Sequence, residues 1–91
     1  DISGIKDGIY EATVDGQSGE MVVQVIVADD KIAEVTVLSN HETENIAGPA
    51  LEKVPAAIVE NNSPDVDGVT GATLTSERIR EAVRQCLEQA K

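Results

Sequence analysis

Residues Glu20 to Leu38 read EMVVQVIVADDKIAEVTVL, and this stretch decides the fold. Five β-branched residues fall between Glu20 and Ala28, Asp29-Asp30-Lys31 is a polar break, and Ile32 to Leu38 resumes with Val35, Thr36 and Val37. Residues of this kind suit the pleated, half-buried surface of a sheet, and a short polar break between two such runs predicts a hairpin. Upstream, Ile9 to Val14 is rich in aromatic and β-branched residues and ends at the turn-prone Asp15-Gly16. It predicts another strand, joined to the hairpin by a loop through Ser18-Gly19. Three consecutive strands with short connections favour an antiparallel meander, one face of which must be covered by the C-terminal half of the chain. Ahead of them, Ile2 to Gly8 is short and polar, so residues 1–7 read as a lead-in segment.

The second half supplies that cover. Ile46, Ala47, Ala50, Leu51 and Val54 recur at helical spacing. Pro55 has no N–H to donate and clashes one turn back, so this helix is expected to stop there. Pro55 to Asn61 then reads as a second short helix, ending at Asn61-Asn62-Ser63-Pro64. The last segment has the clearest pattern. Ile79, Ala82, Val83, Cys86, Leu87 and Ala90 step by three and four, while Glu77, Arg78, Arg80, Glu81, Arg84 and Gln85 face away. Thr75 or Ser76 can cap its start, and Glu77 suits the positive end of its dipole. The expected architecture is α+β: a three-stranded antiparallel sheet packed by a broken helical middle segment and a C-terminal amphipathic helix.

With 91 residues the chain has room for one small domain spanning 1–91, and such a chain buries only roughly 60 to 65% of its unfolded surface. Seven Lys plus Arg against seventeen Asp plus Glu give a net charge of −10. That excludes sequence-independent nucleic-acid binding, which depends on cations displacing phosphate counterions, and an acidic membrane surface repels it. The longest apolar run, Met21 to Ala28, is broken by Gln24 and falls far short of the ~20 residues that cross a bilayer, so this segment inserts in no membrane. One Cys and one His without a C-x-x-C cannot build a thiolate zinc site. Cys86, on the apolar stripe of the last helix, reads as a small core residue, Met21 as sheet core, and Tyr10 as either core or ligand neighbour.

Chemistry concentrates in Asp67-Gly68-Val69-Thr70-Gly71-Ala72-Thr73-Leu74-Thr75-Ser76, four hydroxyls and two glycines directly before a helix. Free N–H groups at a helix start and small residues ahead of it let a phosphate approach closely, which makes the segment a candidate anion site. It is not a Walker loop, because no lysine follows Gly71. The alternative from the residues alone is a glycine turn followed by an N-cap.

At these residues the chain resembles the small FMN-binding domain family. Its members include the C subunit of the sodium-translocating NADH:quinone reductase, the G subunit of Rnf complexes, and domains attached to fumarate- and urocanate-reductase-like flavoproteins. That family's motif, Asp-x-x-Ser/Thr-Gly-Ala-Thr, is matched residue by residue by Asp67 to Thr73, and Leu74-Thr75-Ser76 matches its continuation. The likeness extends to Lys6-Asp7-Gly8-Ile9-Tyr10, to Asp29-Asp30-Lys31-Ile32 and to the loop His41-Glu42-Thr43; where many members continue that loop with Pro-Gly, this chain has Glu44-Asn45.

The resemblance implies FMN joined through a phosphoester to Thr73. Thr70, Gly71, Ala72, Leu74, Thr75, Ser76, His41, Glu42 and Thr43 are then the cofactor's neighbours, and Asp67 and Gly68 the recognition element of a separate flavin transferase that delivers FMN from FAD with Mg²⁺. The plainer reading of His41, Glu42 and Thr43 is a solvated loop, and of Asp67 a turn residue. A transferase makes chemical sense. A threonine hydroxyl is a poor nucleophile without a base or metal, Asp67 is six residues away, and the only His lies more than thirty residues upstream. Esterification also removes one of the two phosphate charges that a domain of net charge −10 repels.

With no acid, base and nucleophile constellation, the implied role is electron carriage to a redox partner domain or subunit rather than standalone catalysis. Family members usually work outside the cytoplasm, often in membrane-associated complexes, although this chain's short length looks more like the reductase-attached domains. The contrasting expectation is a flavin-free acidic module that mediates protein contacts.

Overall fold

In a computed structural model of the chain, which describes residues 4–16, 19–41, 44–66, 68 and 73–91, three strands precede two helices. The strands are β1 (Gly8–Asp15), β2 (Glu20–Ala28) and β3 (Lys31–Ser39); the helices are α1 (Glu44–Asn61) and α2 (Thr73–Gln89). The sheet is the expected antiparallel meander in the order β1-β2-β3. Asp29 and Asp30, with φ of 55° and 60°, form a two-residue turn closed by the Ala28–Lys31 pair. Left-handed backbone at both central positions has the twist that joins adjacent strands, and aspartate tolerates it better than most residues.

Alternation along β2 places Met21, Val23, Val25 and Val27 on one face, all essentially inaccessible to solvent. Opposite Val27, Val25 and Val23 stand Ile32, Val35 and Val37 of β3. Because the pairing skips Ala33 and Leu38, β3 carries irregularities on both sides of Glu34–Val37. Both helices pack on this face. Ala50, Val54 and Ile58 of α1 meet Ile79, Ala82, Val83 and Cys86 of α2 and the β2 valines in one core.

The expected break at Pro55 is absent: α1 runs through both Pro49 and Pro55. An interior proline costs a helix about 3 kcal/mol by removing a donor and crowding the preceding turn. Here Ala50, Val54 and Ile58, spaced by four and fully buried, form one row that would be split by a change of direction at Pro55, whose own ring is buried too. Tertiary burial of that row outweighs the local penalty. The end of α1 falls where its sequence signal lies. Asn62 adopts φ 52°, its N–H donates to Val59 O at 3.2 Å, and Ser63 N–H donates to Ile58 O at 3.2 Å. This is a Schellman cap with asparagine at the left-handed position. The Asn62 side chain also accepts the Ile32 N–H at 2.7 Å, tying the cap to β3.

The lead-in is more than a polar tail. Ile5 is buried in the core, Lys6 N–H donates to Ala90 O at 2.8 Å, and Asp7 Oδ1 accepts the Asp29 N–H at 3.1 Å. Tyr10 is half-buried against the core, and its hydroxyl donates to Lys6 O at 2.8 Å.

Candidate functional site

Three chain segments converge at one end of the molecule. The β1–β2 connection is closed by Gly16 N–H donating to Gly19 O at 2.7 Å. Gly19 lies directly under His41, two residues past the end of β3: a Cβ at position 19 would stand 2.7 Å from His41 Cδ2, so any other residue there would push the imidazole aside. The third segment is the start of α2. Gln89, near the helix C-terminus, donates from Nε2 to Glu11 O at 2.7 Å, whereas Leu74, at its N-terminus, lines an open groove of about 560 Å³ together with Val14 and Asp15. α2 thus runs antiparallel to β1, and its first turn reaches the end that holds Gly19 and His41.

Within that turn the four described hydroxyl and apolar residues separate by burial. Thr73 and Leu74 are exposed, Leu74 to 69% despite being apolar, whereas Thr75 and Ser76 are buried. The expectation that Thr75 or Ser76 caps the helix is therefore corrected: α2 begins at Thr73, and both residues lie inside its first turn. The reason is packing. Gly68 backbone closes on Ser76, where an added Cβ would meet Ser76 Cβ at 3.2 Å and Oγ at 3.4 Å. Glu77, one turn on from Thr73, is engaged by Arg80 Nη2.

His41, Gly68, Thr73, Leu74, Thr75 and Ser76 are thus placed by the structure; Glu42, Thr43, Asp67, Thr70, Gly71 and Ala72 lie outside the described residues. Two features have no signature in sequence spacing: the approach of Gly19 to His41, and the Val14–Asp15 wall beside Leu74. Arg80, whose Nη1 donates to Val66 O at 2.6 Å, is detectable in the sequence only as the helix position four residues after Ser76. A second open groove, of about 680 Å³, lies between β3 and α1 and has no lining residue from α2. Cys86 is buried as expected, and burial, with the Glu11 carboxylate adding to it, pushes its thiol up to about 11. No group of three or more metal-ligating side chains occurs among the described residues, and no helix among them is long and apolar enough to cross a membrane.

Comparison with known proteins gives a family and several relatives. A family model for the FMN-binding domain matches residues 16–88. An uncharacterized protein of Treponema pallidum is 42% identical over 85 residues, which are 93% of this chain and 24% of that protein. NADH:acrylate oxidoreductase of Vibrio harveyi is 32% identical over 83 residues, 91% of this chain and 8% of that protein. The chain therefore spans a quarter or less of these relatives. The crystal structure of the CPE2226 protein from Clostridium perfringens superposes with a TM-score of 0.75 at 28% identity, covering 94% of this chain and 88% of that one. A family model that spans most of the sequence, and a solved protein that shares the fold nearly end to end, lead to one conclusion: the chain belongs to the FMN-binding domain family.

Proposed function

We propose that the chain is an electron-carrying flavin domain that holds FMN through a phosphoester on Thr73, installed by a separate flavin transferase, and that it passes electrons to a redox partner domain or subunit. The observation that carries this reading is the exposure of Thr73 at the first position of α2, inside a motif whose following hydroxyls are buried. Of the described hydroxyls in that motif, Thr73 is the one an enzyme can reach.

The residues present fit the cofactor. The first turn of a helix offers N–H groups without intrahelical partners and the positive end of the dipole, which suit a phosphodiester. Gly68 lets the neighbouring backbone lie close to Ser76. Leu74 gives an exposed apolar surface next to Val14 for the planar ring system. Bound FMN supplies the acceptance and release of electrons. The chain's own part is to tether, orient and partly shield.

In the attachment step the Thr73 Oγ–P bond forms as the pyrophosphate bond of FAD breaks and AMP leaves, with the hydroxyl proton passing to a base on the transferase. The redox reactions of the longer relatives, whose names specify acrylate and urocanate, point to a partner that reduces an unsaturated carboxylate. Work outside the cytoplasm and membrane association belong to the same proposal through the family likeness. Intact mass after co-production with a flavin transferase tests the reading: a gain of one FMN less one water is expected. A chain that stays colourless at its original mass would leave the flavin-free acidic module as the better account.

A further inference from the structure

The stretch that leads into the motif runs back along one face of α2. Asp65 Oδ1 lies 3.6 Å from Arg84 Nη2, Val66 O accepts from Arg80 Nη1 at 2.6 Å, and Gly68 packs on Ser76. Positions 84, 80 and 76 are spaced by four and share a helix face, so the incoming chain is laid antiparallel to α2 toward the turn that bears Thr73. The three contacts are unequal. The Arg84–Asp65 pair is largely exposed, and such pairs hold little in place. The Arg80 side chain is only 19% exposed, its Nη2 is engaged by Glu77, and its Nε is buried without a hydrogen-bond partner among the described residues. A guanidinium held out of water in this way makes its bond to the Val66 carbonyl the principal fastening of the row.

We infer that Arg80 is the positioning residue of the attachment site. By holding the Val66 carbonyl from α2, it sets the register of the backbone on either side of Asp67 and so fixes how the motif is presented to the transferase. This inference rests on Thr73 being the FMN acceptor. Arg80 acts through Val66 and Gly68 rather than by touching the reacting atoms. Lysine keeps the charge and one donor but not the fork, so it can replace Arg80 only in part.

The test labels wild-type chain and the variants Arg80→Gln, Arg80→Lys and Arg84→Gln with a flavin transferase, FAD and Mg²⁺. Labelling is followed by intact mass at several chain concentrations, with thermal melting and hydrogen exchange of the Gly68 amide measured alongside. Loss of the fastening lowers the fraction of chain in the competent arrangement, so Arg80→Gln should raise KM about tenfold or more while leaving kcat within about twofold. Gly68 exchange should speed up, Arg80→Lys should recover part of the loss and covers the case in which the glutamine variant melts, and Arg84→Gln should stay within about twofold of wild type. Wild-type KM in Arg80→Gln, labelling that falls only in proportion to the unfolded fraction, or an equal loss in Arg84→Gln would each overturn the role of Arg80. A wild-type chain that gains no mass refutes Thr73 as acceptor, and with it the presentation role. Full wild-type labelling with unchanged Gly68 exchange in Arg80→Gln refutes Arg80 alone.

Discussion

The two ends of α2 are built on different terms. Toward the C-terminus Ala82, Val83, Cys86 and Leu87 are buried among the β2 valines, and Gln89 and Ala90 tie the helix to Glu11 and Lys6 by hydrogen bonds. Toward the N-terminus the buried positions are hydroxyls, Thr75 and Ser76, and the apolar Leu74 points outward. Burying a methyl-rich side chain contributes roughly 1.5 to 3 kcal/mol, whereas a buried hydroxyl at best offsets its own desolvation. One end of a single helix therefore holds the fold together while the other shapes the backbone around an accessible threonine. On the proposed function, stability and FMN attachment are separable along the seventeen residues of α2.

That contrast can be broken by substitution. The largest effect is expected from Thr73→Ala, which should abolish the FMN mass gain completely while shifting stability by no more than about 0.5 kcal/mol, as at other exposed positions. Mass reappearing on Thr75 or Ser76 would contradict the division. Next, Ile79→Ala, in the buried apolar stripe of α2 beyond its first turn, should lower stability by about 2 to 5 kcal/mol in denaturant titration without changing which residue is labelled.

Cys86 gives a smaller, pH-dependent effect. Its thiol is raised from the ordinary value near 9 to about 11, so the unfolded chain ionises first. The contribution of this site is full below about pH 9 and is lost as pH rises toward about 11, and melting across that range should show a decline that Cys86→Ala lacks. Leu74→Ser should shift stability by no more than about 0.5 kcal/mol and be read instead in a shift of the visible flavin bands of the loaded chain. A spectrum identical to the parent's would remove Leu74 from the site.

What could be read from the residues was local. The β2–β3 hairpin, the end of α1 at Asn62 and the stripe of α2 each follow from neighbours a few positions apart, and at these places the expectations agree with the structure. Pro55 misleads because a one-turn rule cannot see that Ala50, Val54 and Ile58 need one continuous row against a sheet formed far away in the chain. The site divides the same way. The contiguous motif from Asp67 to Ser76 is visible in the sequence, whereas the seat of His41 on Gly19 and the hold of Arg80 on Val66 are made by residues brought together only by the meander and the return along α2.

The two irregularities that flank Glu34–Val37 bear on how such a domain behaves among copies of itself and other chains. β3 ends the sheet, and an outermost strand with a long, flat run of unpaired amides and carbonyls recruits strands from other molecules. Skipping Ala33 and Leu38 leaves only the four residues between them in regular register, with Glu34 among them. A foreign strand would gain too few bonds there to compensate for bringing its own charges beside that carboxylate. The β3 edge is thereby a poor template for a strand from another copy.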